Sequence, residues 1–223
     1  MDFIRKTMTI LHKDILTELR TKEQLSAMLV FALMAALIFG IALDLSASDP
    51  LDTTPGLLWV TIAFAGTLGL NRSLAQEQEN RCIDGLLLAP MDRSAILAGK
   101  ALTNLIFMSA VEAVIVPVFA ILFNVPLLRG AIALILLLGT LGYAMAGTLF
   151  SMMAVHTRAR EVMLPILLLP VSLPAFISAT NATRIALAGA PLGEMASWLR
   201  LLVAYDVIIS VVGWMTFEFI VEA

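Results

Sequence analysis

The sequence predicts an all-α polytopic membrane protein with six transmembrane helices and an N-terminal interfacial helix. Two observations carry this. Of 223 residues, 60% are hydrophobic and only 14% are charged, with a mean hydropathy of +0.96. A soluble domain has roughly 45–50% apolar and about 25% charged residues, and could not bury the excess. The apolar residues also fall into six long runs, and a spanning helix needs roughly 20 such residues. A helix is required because lipid offers the backbone no hydrogen-bond partner. The chain reads as one transmembrane domain over 1–223, with no room for a soluble catalytic domain.

The runs are Leu25 to Leu43, Leu57 to Leu74, Ile96 to Phe123, Leu127 to Val155, Val162 to Thr180 and Leu199 to Val221. A cleaved signal peptide competes for the first run, with Ser46 and Ser48 as small residues of a cleavage site. The run exceeds the 7–15 residues typical of such peptides, and Asp2, Asp14, Glu18 and Glu23 precede it. A retained span is preferred. Of the 14 Lys and Arg residues, only Arg129, Arg184 and Arg200 fall on the side opposite the rest. The positive-inside rule then puts both termini in the cytoplasm. Asp44, Asp49 and Asp52 in the first outer loop agree.

Residues 1–24 precede the first span. Ile4, Met8, Leu11, Ile15 and Leu19 recur at helical spacing, with Arg5, Lys6, Lys13, Glu18, Arg20 and Glu23 on the other side. Such a helix lies in the interface with its apolar face in membrane lipid. Residues 75–95 form the longest inner connection. Glu77, Glu79, Arg81 and Asp84 make a charged, helix-compatible first part, and Leu86, Leu87, Leu88 and Ala89 make an apolar patch ended by Pro90. Arg93 follows. A patch of this kind needs a protein or lipid partner, or folds back on the bundle. Spacing alone leaves these alternatives open. The outer segment 181–198 carries Asn181, Gly189, Pro191 and Gly193, so it reads as broken, with a short re-entrant or surface helix and Trp198 as interfacial anchor.

Two ionisable residues fall inside spans, where they are costly. Glu112 lies in the third, beside a kink expected at Pro117. It lines a path or hinge, or it fixes helix packing, and both readings stand. For Asp206 in the sixth span, packing is preferred. The fifth span carries Pro165, Pro170 and Pro174 within ten residues, which predicts a bent helix facing the bundle interior. Gly139, Gly142 and Ala146 in the fourth span form a small-residue stripe for close helix contact.

Several functions are disfavoured. The net charge of −3 argues against nucleic-acid binding. The single cysteine, Cys82, excludes an internal disulfide and a multi-thiolate metal site within one chain. Ordinary interfacial roles are preferred for His12 and His156 over metal or haem ligation. No phosphate-binding Gly-x-x-x-x-Gly-Lys-[Ser/Thr] motif is present, since Gly99-Lys100-Ala101 lacks the first glycine and the hydroxyl. No nucleophile–base pair stands out, and the chain is not read as an enzyme.

Several blocks resemble the haem exporter protein B family (CcmB). They are Gly56-Leu57-Leu58-Trp59-Val60, Arg72-Ser73-Leu74 with Glu77 and Glu79, and Leu86-Leu87-Leu88-Ala89-Pro90-Met91-Asp92-Arg93 with Gly99-Lys100. Further on come Arg160-Glu161-Val162-Met163-Leu164-Pro165 with Leu169-Pro170, then Tyr205-Asp206 and Phe217-Glu218. The resemblance implies an ABC-2 type permease of the bacterial inner membrane, with a coupling helix between spans two and three. It implies a separate ABC ATPase subunit that binds Mg-ATP, further cytochrome c maturation membrane subunits, and a periplasmic haem chaperone. It also implies either two permease chains, as in a homodimer, or one chain with a related partner. The chain alone would bind no cofactor, with haem as a substrate of the complex. A non-transporting scaffold for a haem-handling assembly is the alternative. A secondary transporter is weaker, because the proline breaks fall in one half and no repeat is evident.

Overall fold

A computed structural model describes residues 2–44, 49–79, 93–154 and 160–222. The described chain is helical. It comprises α1 (Asp2–Thr21), α2 (Glu23–Asp44), α3 (Pro50–Glu79), α4 (Arg93–Leu122), α5 (Gly130–Ala154), α6 (Arg160–Leu187) and α7 (Leu192–Glu222). Helices α2 to α7 are each long and apolar enough to span a membrane, which agrees with the six runs.

The chain turns from α1 into the first span at Lys22, which has a left-handed φ of 56°. The corner is held by Glu18, whose carboxylate accepts from the Leu25 N–H at 2.8 Å. A side-chain acceptor at the start of a helix satisfies a donor that the helix cannot. Of the expected apolar stripe of α1, Ile4, Met8 and Leu19 are exposed, while Leu11 and Ile15 are half-buried. The more polar face docks through Thr7, Ile10 and Glu18, mostly onto α4. This arrangement leaves the exposed residues of the stripe free to enter the lipid interface.

At the centre lies α5, which packs against α3, α4, α6 and α7. Its length is lined with buried residues, among them Gly139, Gly142, Tyr143, Ala146 and Gly147. A Cβ on Gly139 would fall 2.3 Å from the Trp59 ring of α3, and one on Gly142 would fall 2.2 Å from Asp206 Oδ1 of α7. The expected small-residue stripe therefore serves more than one neighbour. Between membrane helices, close backbone approach replaces the hydrophobic driving force available in water.

Two expectations are corrected. The first concerns the facing of the prolines in α6, a helix that runs without interruption from Arg160 to Leu187. Pro165 is half-buried, and Pro170 and Pro174 are exposed rather than turned to the interior. The reason is steric. α6 meets its neighbours through Leu164, Leu168, Ser172, Ala175, Ala179, Ala182 and Ala186, all buried and most of them small. At 3.6 residues per turn the rings of Pro170 and Pro174 fall on the opposite face. The second concerns 181–198, which is broken at Gly189 and Pro191 as expected but forms no short helix of its own. α6 continues to Leu187 and α7 starts at Leu192, with Gly189 at φ +78° in the turn between them. Arg129 donates to the Ala186 and Leu187 carbonyls at 2.7 and 3.2 Å. A cationic donor on the last carbonyls of a helix lets it run to that point.

Candidate functional site: acidic side chains around the central helix

Helix α5 presents hydroxyls as well as small residues, and these hydroxyls meet α3 and α4. Tyr143 Oη donates to the Ala63 carbonyl of α3 at 2.7 Å and lies 2.6 Å from Thr67 Oγ1. Thr148 accepts from Asn104 of α4 at 2.9 Å. Thr140 donates to the Glu112 carboxylate of α4. Hydrogen bonds of this kind between membrane helices are each worth about 0.6 to 2 kcal/mol.

Glu112 is 6% exposed. Besides Thr140 it borders a cavity of ≈ 390 Å³ between α4 and α5, which it shares with Pro117, Val116, Leu128, Leu136 and Leu137. Glu112 and Pro117 thus border one space. The bond to Thr140 fits a packing role, and the cavity fits a path. Two variants separate them. If the carboxyl serves a path, Glu112→Gln keeps expression and assembly normal while the function of the chain in cells is lost. If it serves packing, Gln is nearly silent, and Glu112→Leu alone harms assembly by removing the hydrogen bond that joins α4 to Thr140 of α5. A silent Gln variant beside an unstable Leu variant would remove Glu112 from any path.

Asp206 is 7% exposed and sits against Gly142. Neither carboxylate oxygen has a hydrogen-bond partner among the described residues. Its burial against Gly142 is compatible with the packing role preferred from sequence, in which the carboxyl fixes the contact of α7 with α5. The structure does not bring Glu112 and Asp206 to one point: they meet α5 from α4 and from α7, at Thr140 and Gly142.

Of the inner connection, Arg81, Asp84, Leu86, Leu87 and Leu88 lie outside the described residues. Glu77 and Glu79 belong to the last turn of α3, and Arg93 opens α4. Among the described residues no group of three or more His, Cys, Asp or Glu could hold a metal ion.

Sequence reasoning missed a polar clamp at the amino-terminal end of α4. Lys100 Nζ lies 3.1 Å from Asp14 Oδ2 of α1, with the two side chains 5% and 14% exposed. Lys13 approaches the other Asp14 oxygen at 2.8 Å. Next to it, Ile10 and the Thr7 carbonyl close over Gly99, where a Cβ would fall 2.9 Å from Ile10. The clue was Gly99-Lys100, read only as a failed phosphate motif and as part of a family block. Glycine allows the helices to touch, and the lysine beside it then meets the carboxylate.

These features define a polytopic helical membrane protein with six candidate spans, a docked N-terminal helix and acidic side chains buried at membrane depth. Residues 5–221 match the family described as CcmB protein, and the chain belongs to that family. A relative from Pseudomonas aeruginosa, "Heme exporter protein B", is 25% identical over 186 residues, covering 83% of both chains. One of the same name from Bradyrhizobium diazoefficiens is 27% identical over 183 residues, covering 81% of this chain and 82% of the relative. A third, from Paracoccus denitrificans, is 32% identical over 140 residues, covering 61% and 63%.

Proposed function

We propose that this chain is the membrane permease subunit of an ABC transporter complex for haem export or delivery in cytochrome c biogenesis. ATP hydrolysis in a separate subunit drives haem movement or releases the haem-loaded chaperone. The observation that carries this reading is the family match over almost the whole chain, to relatives named for haem export. It sits in the bacterial inner membrane with both termini in the cytoplasm, alongside the other maturation subunits and a second permease chain or a related partner. The long helices α3 and α4 support the coupling reading, because they flank the charged and apolar residues between Glu79 and Arg93.

In this reading Glu77, Glu79, Arg81, Asp84 and Arg93 orient the segment against the ATPase, and Leu86, Leu87 and Leu88 anchor it in an apolar cleft. Leu87→Asp places an unpaired charge in that contact, which costs several kcal/mol. The permease is expected to insert normally while the ATPase fails to co-purify. Undiminished co-purification would refute the contact. Topology has its own test. A cytoplasm-only reporter is expected to be active after Ala223, and a periplasm-only reporter after Asp52. A periplasmic signal at Ala223 would mean an odd number of spans and would overturn the inner and outer assignments.

A further inference from the structure

A second cavity, of ≈ 410 Å³, lies between α3 and α6, away from Glu112 and Asp206. One side is Trp59 and Phe64 of α3, and the other is Leu169, Leu173 and Phe176 of α6. Its floor is fixed. The Trp59 indole donates to Thr183 at 3.1 Å, and its ring packs at 6.1 Å from Phe176. Along α6 the lining runs from Leu169 to Thr180 and Asn181. At 1.5 Å per residue that is roughly 18 Å of groove. One leaflet of the hydrocarbon core is roughly 15 Å deep.

We propose that this groove holds one acyl chain of a phospholipid from the leaflet at the α6 C-terminal end. The walls are apolar along their length, and the polar residues Thr180 and Asn181 lie only at the end nearest the membrane surface. One turn beyond them stands Arg184, whose side chain is 55% exposed and only 4.0 Å from an Asp52 that is itself 68% exposed. A loose exposed pair of this kind contributes little and leaves the guanidinium available to a lipid phosphate. A helix of a second copy laid over the open side is the rival occupant, and a crosslink across the groove to that copy distinguishes it.

The test uses Trp59 as the probe. Trp198→Phe with Trp214→Phe leaves Trp59 as the single tryptophan of the three. The full chain is placed in nanodiscs of phosphatidylcholine brominated midway along the acyl chains. Trp59 fluorescence is expected to be quenched at least twofold more than in the same protein carrying Gly56→Leu. That substitution fills the groove mouth without strain, since no atom lies within 4 Å of the added Cβ. Arg184→Glu should also lower the quenching. Equal quenching with and without Gly56→Leu overturns the proposal, and so does weak quenching with a crosslink across the groove to a second copy. Native mass spectrometry of the unaltered chain is an independent measurement. One retained phospholipid is expected, lost in Gly56→Leu, and retention in both overturns the assignment.

Discussion

Gly142→Val is expected to prevent stable folding of the chain in the membrane. Its first added carbon would lie 2.2 Å from Asp206 Oδ1 and 2.8 Å from the Tyr205 ring. Overpacking a tight core usually costs about 1–3 kcal/mol. Here α5 is held by four helices at once, so it cannot withdraw from α7 without opening contacts elsewhere. Gly142→Ala is the graded version, and its thermal unfolding in detergent should fall clearly below that of the parent. Adding Asp206→Ala should recover part of the loss, because it removes one of the two obstructing groups and leaves the Tyr205 ring. An unchanged melting temperature for Gly142→Ala, or no recovery in the pair, would show that α5 and α7 are not in this contact.

Asp14→Leu is expected to detach α1 from α4. The substitution takes the carboxylate away from a lysine that is only 5% exposed. Removing one partner of a buried ion pair typically costs about 3–5 kcal/mol, because the other charge keeps its desolvation. Asp14 is 14% exposed, which points to the lower end, about 3 kcal/mol. The double variant Asp14→Leu with Lys100→Met replaces both charges with apolar groups and should return close to the parent. Limited trypsin cleavage in α1, at Arg5, Lys6 or Lys13, reads out the detachment. Faster cleavage is expected in the single variant and near-parental cleavage in the double. Equal cleavage in all three would mean that α1 is held by other contacts.

How much of this was legible depended on the kind of signal. The six spans follow from hydropathy alone, because the bilayer imposes a length and a composition on each. The apolar stripe of α1 was also readable, since its period repeats within one helix. What failed was direction. Proline chemistry says that a ring breaks the hydrogen-bond ladder, but it does not say on which face the ring will sit. In α6 the small residues claimed the inner face, and Pro170 and Pro174 were left outside. The clamp of Asp14 on Lys100 escaped because its partners are 86 residues apart, and a pairing at that separation leaves no local pattern. Glu112 and Pro117 were found because a carboxyl group in a span is conspicuous on its own. Thr140 was not, because a threonine in an apolar helix usually satisfies itself on its own backbone.

The central position of α5 has a consequence for passage across the membrane. Among the described residues, the middle of the bundle is occupied by one of its own helices, which leaves no open lumen there. Trp59 and Leu70 press against Gly139 and Gly147, and Tyr143 lies within the same filled centre, fully buried. A flat macrocycle could enter that space only by displacing a helix that four others hold. If the proposed export role includes passage of cargo, that cargo would travel along the outer surface of this chain or through a seam with another subunit, and a single copy would form one wall of a conduit.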